Sequence, residues 1–318
     1  MKFFKQIYAA VGVVLVISVA ATGTYGLSKT DREIYKIAIG LQEKMQENGF
    51  EGFVLEDKKV RFFNGETDYV VSGDEIKKEE AVFDTFVGTT SKVDGEYQVI
   101  LPTYDNFSNM FKLLNTAQSI SDGSMQFSED EYSTNVHVTT LWHEAFHTWQ
   151  FANWEEEIFA QVEAAGLDED DSTEEIVVNN IDSNEQLVLS FSSEMELLEN
   201  AYETEDMDEK KALTEKALAV SKERKEMLSE KEVYVEKYYE MIEGTARYVE
   251  AQAYLLLEGE EAWKEAYFDT FEYSNGSGKY YEMGMYKCLL LDQLAPEWKA
   301  DFKVTDSLDD YLTHAVAQ

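Results

Sequence analysis

The feature that most constrains this chain is the segment 141–150, which reads L-W-H-E-A-F-H-T-W-Q. His143 and His147 are four residues apart, about one turn of an α-helix, so both imidazoles project from the same face and can bind one metal ion. Glu144 lies ~100° around the helix from His143, too far to be a ligand. Its carboxylate is instead suited to take a proton from a water beside the metal. The segment therefore predicts two metal ligands and a general base.

The residues around this motif predict that it lies on a packed helix. The helix is signalled by Ser133 and the polar residues after it, and we expect it to run to about Trp154 without a proline. Its apolar residues on the side opposite the histidines have the spacing of a buried stripe: Val138, Leu141, Trp142, Ala145 and Trp149. Such a helix can bury its apolar face in the core while the two histidines on the opposite face remain available to a metal ion.

Composition limits the class of partner. The chain has 318 residues, 44% of them hydrophobic, which is enough for a sizeable core in one large domain or two lobes. Its net charge of −37 disfavours nucleic acid and anionic lipid. Residues 113–209 contain no lysine or arginine, so the predicted site lies in a negative field. This field is consistent with cationic peptides or retained cations, and equally with a solvated acidic surface.

The N-terminus predicts export. It begins M-K-F-F-K and continues without a charged residue from Gln6 to Ser28. Basic residues before an apolar run indicate a signal peptide or an uncleaved membrane anchor over residues 1–27, which would engage the membrane or the export machinery. We therefore expect an extracellular or cell-surface protein. Cys288 is the only cysteine, and its apolar neighbours predict a packing role.

The order of the predicted elements indicates an α+β fold. A helix is expected over 30–48, strands over 53–55, 60–63, 69–71 and 97–101 in a sheet of four to six strands, and a short helix over 107–117. A last strand is predicted over 124–127, where an edge could bind a peptide backbone. Helices are expected over 184–201, 209–229, 232–257 and 279–294. We predict a sheet lobe over 28–155 that carries the metal helix, and a mainly helical lobe over 156–318.

A catalytic zinc needs a third protein ligand, which the segment itself does not supply. The pattern H-E-x-x-H-x-x-G-x-x-H is absent, because its glycine and last histidine positions hold Gln150 and Asn153. His137 points ~120° away from His143 on the same helix, and His314 lies near the end of the chain. Both histidines remain candidates for the third ligand, but weaker ones, because of the direction of His137 and the remote position of His314 in the sequence.

A better candidate comes from residues 241–250, M-I-E-G-T-A-R-Y-V-E. This segment resembles the N-E-G-F-A-x-Y-x-E segment of the aminopeptidase N family, in which the first glutamate completes the zinc site begun by H-E-x-x-H. The resemblance makes Glu243 the third ligand of a Zn²⁺ ion and points to the thermolysin-like, glutamate-zincin group of peptidases. It covers the two motifs only: 95 residues separate His147 from Glu243, and no G-x-M-E-N segment is present, so exopeptidase activity is not implied.

Enzymes of this group also place a tyrosine or histidine beside the oxyanion, and Tyr281 is the candidate here, with packing as its alternative role. The sequence thus predicts an exported zinc metallopeptidase of zincin-like fold that acts on a peptide or protein substrate. Two alternatives stay open. One is a non-catalytic acidic surface protein that binds a partner or divalent cations, and the other is a zinc hydrolase of a non-peptide bond.

Overall fold

The computed structural model describes residues 26–121, 132–168, 171–268 and 273–318. It confirms an α+β fold with a five-stranded sheet and a predominantly helical C-terminal part. Two compact units are present within the described residues. The first contains residues 26–153 and 249–263, and the second contains residues 154–248 and 264–318.

The sheet of the first unit is mixed, with the strand order β3-β2-β1-β5-β4. The central pair β1–β5 is parallel, and the other three pairs are antiparallel. All residues of β1 are buried, so both faces of the sheet are covered at its centre. The strands are β1 (Val60–Phe63), β2 (Thr67–Ser72), β3 (Glu75–Glu80), β4 (Thr89–Val93) and β5 (Glu96–Pro102).

Three predicted strands are confirmed as β1, β2 and β5, but the two edge strands had not been predicted. β3 reads E-I-K-K-E-E and β4 reads T-T-S-K-V, and neither has an apolar alternation because edge strands need not bury a face. The β4–β5 turn does carry a local signal. Asp94 and Gly95 both have positive φ, of 52° and 85°, as a two-residue hairpin turn requires.

The strand predicted over 53–55 is wrong, since residues Leu55–Asp57 form a short 3₁₀ helix. The backbone N–H of Leu55 donates to Gln42 Oε1 at 2.7 Å instead of to a neighbouring strand. Phe53 packs edge-on against Trp142 and Phe146, with ring centroids 5.7 and 5.1 Å apart. These apolar residues therefore serve the core beneath the metal helix. The strand predicted over 124–127 lies outside the described residues.

Four helices begin in the first unit: α1 (Lys29–Gly40), α2 (Gln42–Glu47), α3 (Tyr104–Ser121) and α4 (Thr134–Ala164). The helix predicted over 30–48 is split at Leu41. The metal helix is α4, and it bends at Trp154, where φ and ψ are −135° and 23°, instead of ending there. Its predicted apolar stripe is buried, as expected. Contacts with β5, such as the stacked rings of Tyr97 and Phe151 at 5.4 Å, hold residues 134–153 against the sheet.

The second unit is helical. The prediction of one helix over 232–257 is wrong in its middle, because a six-residue π-helical turn separates α8 from α9. Helices α9 and α10 contribute residues to both units. The elements are α5 (Thr173–Ile176), a π turn (Val177–Ile181), α6 (Glu185–Glu203), α7 (Met207–Lys225), α8 (Glu230–Tyr238), the second π turn (Tyr239–Gly244), α9 (Thr245–Glu258), α10 (Glu260–Tyr267), α11 (Gly278–Leu294), a 3₁₀ helix (Pro296–Asp301) and α12 (Leu308–Val316).

Two further predictions concern single segments. Cys288 is a free, fully buried thiol on α11, which confirms its packing role. No helix in the described ranges is both long enough and apolar enough to cross a membrane. Residues 1–25, which make up nearly all of the predicted signal or anchor, lie outside those ranges.

Candidate metal centre

Three of the predicted ligands form one group. His143, His147 and Glu243 each offer one ligand atom, and these atoms all lie within 4.8 Å of one another. Both histidines are buried, with 3% and 6% of their surface exposed, and Glu243 is half-buried. Two imidazoles and a carboxylate are the donor set of many catalytic zinc sites. The group can therefore hold a metal ion.

The hydrogen bonds of the two histidines fit a metal site. His143 Nδ1 lies 3.1 Å from Glu250 Oε2, and His147 Nδ1 lies 2.8 Å from Gln150 Oε1. Both oxygens can only accept, so each Nδ1 carries a proton, and in a neutral ring Nε2 then carries a lone pair. The two Nε2 atoms face each other at 3.0 Å. Two nitrogens at this distance can share a proton or lie beside one bound cation.

The distance itself is close to what a metal requires. Two nitrogens bound 2.0–2.1 Å from one tetrahedral ion lie about 3.3 Å apart. A shift of a few tenths of an ångström would bring the Nε2 atoms of His143 and His147 to that separation. Glu250 and Gln150 would then act as the outer partners that fix the tautomer and orientation of metal-binding histidines.

The π turn that carries Glu243 is fixed by close packing against α11. Gly244 and Gly284 approach so closely that a Cβ added at Gly284 would lie 2.4 Å from the main-chain oxygen of Glu240 and 2.7 Å from the Cα of Gly244. No side chain fits there without a backbone shift. An ion pair of 2.8 Å between Glu240 and Lys287 joins the same two elements. π-helical turns insert an extra residue and are frequent at functional sites.

Glu144 is nearly buried, with 8% of its surface exposed, and follows directly after His143. Its carboxylate oxygen Oε2 lies 3.2 Å from Thr90 Oγ1, which is also 2.7 Å from the main-chain oxygen of Glu144. Thr90 belongs to the edge strand β4, so this strand lies beside the metal helix. The predicted general base, Glu144, thus lies next to the predicted ligand His143 in the sequence and contacts Thr90 at the edge of the sheet.

The other candidates are placed elsewhere. His137 is fully buried, its Nε2 lies 2.9 Å from the carbonyl oxygen of Pro102, and burial lowers its pKa to about 4. His314 is exposed on α12, with Nδ1 2.7 Å from the carbonyl oxygen of Asp310. Among the described residues, neither belongs to the three-residue group. Tyr281 is buried on α11, with its ring 6.1 Å from that of Tyr239, and its role beside an oxyanion stays a prediction.

Several residues around the site had not been predicted. Gln150 could have been found, because it lies three residues after His147 and therefore on the same helical face. Thr90 and Gly284 could not, since their roles depend on contacts with residues 54 and 44 positions away. On the helix that follows Glu243, Glu250 contacts His143, while Arg247 pairs with Glu282 at 3.2 Å.

Comparisons with known proteins give this chain no family: no family model, no curated protein and no solved structure matches it. The assignment of the site therefore rests on the residues and on their geometry.

Proposed function

We propose that this protein is an exported, zinc-dependent peptidase. The observation that carries the proposal is the convergence of His143, His147 and Glu243, with Glu144 next to the first ligand. The outer hydrogen bonds from Glu250 and Gln150 add support, because they orient both imidazoles with Nε2 toward the shared point.

The chemistry divides between the ion and the chain. When bound, Zn²⁺ would acidify a water and polarise a carbonyl group. Glu144 would take the proton of the attacking water and pass it to the departing amine as the C–N bond breaks. Tyr281 is proposed to donate a hydrogen bond to the oxyanion. Burial of Glu144 favours this proton transfer, since few solvent waters compete for the carboxylate.

A peptide is the substrate that the surroundings favour. Among the described residues β4 is an edge strand and is partly exposed, so one of its sides can accept an extended backbone as an additional strand. The hydrogen bonds from Thr90 place Glu144 beside this strand. A backbone aligned along β4 would pass close to the general base. The net charge of −37 favours substrates with basic residues, and the N-terminal sequence favours export.

The decisive experiment combines metal analysis with one conservative substitution. We expect the purified 318-residue chain to hold one tightly bound zinc ion and to hydrolyse peptides. In Glu144→Gln the zinc content should be unchanged and kcat should fall by about 10²–10⁴-fold, as on loss of a general base. Glu156→Gln, an exposed position on the same helix, is the matched control and should retain full activity.

Each alternative function has its own result. Absence of bound zinc would favour a non-catalytic acidic surface protein that binds a partner. Glu144-dependent hydrolysis of esters or other bonds, with no cleavage of peptides, would favour a hydrolase of a non-peptide bond. Zinc binding with equal peptide cleavage by wild type and Glu144→Gln would refute the role of the general base.

A further inference from the structure

The edge strand contacts the proposed general base through one hydroxyl group. Thr90 Oγ1 lies 2.7 Å from the main-chain oxygen of Glu144 and 3.2 Å from its carboxylate Oε2. A threonine hydroxyl has a single proton to donate, so the two oxygens share it. The main-chain contact anchors the hydroxyl on α4, and from that position it reaches the carboxylate.

The aliphatic part of the Glu144 side chain lies close to Gly88, two residues before Thr90. A Cβ added at Gly88 would lie 2.7 Å from Thr140 Cγ2, 2.9 Å from Leu101 Cδ2 and 3.0 Å from Glu144 Cγ. The φ of Gly88 is not in the left-handed region, so close approach and not backbone conformation explains this glycine.

The segment that provides these contacts is itself held in place. Thr85 Oγ1 donates to the carbonyl oxygen of Val87 at 2.6 Å, and β4 pairs with β5 along its whole length. Thr90 therefore restricts one carboxylate oxygen of Glu144, and the absence of a side chain at Gly88 leaves room for the Glu144 Cγ atom. A glutamate otherwise has three side-chain torsions to explore, and fixing them keeps the base in one geometry.

We propose that Thr90 is a positioning residue for Glu144: its hydroxyl holds the carboxylate in the orientation in which it accepts the proton of the attacking water. This inference rests on the proposed function. Its physical basis is orientation, because small misplacements of a catalytic group reduce the rate strongly even when the group itself is intact.

The test compares two substitutions at Thr90 with a control. Thr90→Val keeps the shape and removes the hydroxyl, Thr90→Ser keeps the hydroxyl, and Thr313→Val makes the same threonine-to-valine change at an exposed position on α12. We expect kcat of Thr90→Val to fall by about 10–100-fold, with KM and zinc content unchanged. Thr90→Ser should retain most of the wild-type kcat, and Thr313→Val all of it.

A second measurement does not need activity. In a double-mutant cycle of Thr90→Val and Glu144→Ala, the main-chain contact is lost only through Thr90, so any non-additivity of the urea midpoints reports the contact with the carboxylate. We expect the midpoints to be non-additive. Additive midpoints would overturn the contact, and so the proposal.

The kinetic outcomes separate this inference from the function on which it rests. A wild-type protein without zinc or turnover would overturn the proposed function and the role of Thr90 with it. An active wild type whose Thr90→Val variant has unchanged kcat would overturn the role of Thr90 alone. The role of Thr90 alone would also be overturned if the kcat and the zinc content of Thr90→Val fell together. It would be overturned as well if Thr90→Ser had a kcat as low as that of Thr90→Val.

Discussion

Two buried polar clusters of this protein differ in how their charged and polar groups are arranged. In the metal group, His143 Nε2, His147 Nε2 and a Glu243 oxygen all bring lone pairs toward one point. In the second unit, cations and carboxylates instead alternate in an ion network with short contacts. The network consists of Arg224, Lys225 and Lys287 with Glu194, Glu236, Glu240 and Asp309.

The two clusters differ in what can balance their polar groups. The network joins helices α6, α7, α8, α11, α12 and the π turn that contains Glu240, and its members form ion pairs with one another inside the unit. The two imidazoles and the carboxylate of the metal group could instead hold a cation from outside the chain. The metal group is therefore the candidate functional site, whereas the network consists of ion pairs within the fold.

The largest effect is expected from Arg224→Ala. Arg224 is fully buried and pairs with Glu194 and Glu236, each at 2.5 Å. Its loss takes the nearest cation from two buried carboxylates, and Lys287 at 3.1 Å from Glu194 and Lys225 at 4.0 Å from Glu236 remain. Breaking such a buried pair typically costs about 3–5 kcal/mol of unfolding free energy. Urea unfolding followed by circular dichroism measures the change. The exposed Lys216→Ala on the same helix is the control and should stay within about 0.5 kcal/mol of wild type. Equal losses in both variants would contradict the structural role of the network.

The corresponding change in the metal group should affect affinity rather than folding. Glu250 accepts from His143 Nδ1, so Glu250→Gln removes a charge but keeps an acceptor, and Glu250→Leu removes both. We expect zinc affinity to fall by about 10-fold and 100-fold respectively, the usual range for an outer partner of a ligand histidine. Competition with a chromophoric chelator measures it. Glu258→Gln, an exposed site on α9, is the control, and an equal loss there would argue against a specific role for Glu250.

The smallest effect is a pH dependence within the network. Burial raises the pKa of Glu240 to about 7, because desolvation and the charges of Asp309 and Glu194 together outweigh the lowering by Lys287 and Lys225. The folded state thus binds more protons than the unfolded state, whose pKa is near 4.5. This group's contribution to the unfolding free energy must therefore fall as pH rises from about 4.5 through 7. Relative to Glu240→Gln, the metal-free wild type should lose about 1–3 kcal/mol between pH 5 and 8.

Urea titrations of both proteins at the two pH values test this expectation, and Glu223→Gln, exposed on α7, serves as the control. A difference that stays constant between the two pH values would show that Glu240 is ionised throughout, and would contradict the expectation.

Asp309, in the same network, responds to acid instead. Burial alone would raise the pKa of Asp309, but Lys287 and Lys225 outweigh it and hold that pKa far below its usual range. Its stabilisation is present at neutral pH and is lost only in strong acid.

Much of the fold could be predicted from local patterns. The central strands and most helices have the periodicity of their secondary structure, and they appear within a few residues of the expected bounds. The edge strands β3 and β4 do not have this periodicity, because an edge strand can carry charged side chains and remain exposed to solvent. The π turn also gave no local signal, since it depends on the approach of Gly284 to Gly244.

The candidate site divides in the same way. His143, Glu144 and His147 belong to one helix, so their spacing alone fixes their mutual direction. Glu243 was identified only through a short resemblance, and its place in the group depends on packing 95 residues further along the chain. Gln150 follows from helical spacing, but the contact of Thr90 with Glu144 does not.

The sequence by itself thus determined which side chains could bind a metal and which carboxylate could act as a base, because helical geometry converts spacing into direction. Only the tertiary structure decided which distant residues join them. Contacts between remote segments, such as Thr90 with Glu144 and Lys287 with Glu240, depend on the packing of each unit around its own core. That packing is a collective result, and no short stretch of sequence contains it.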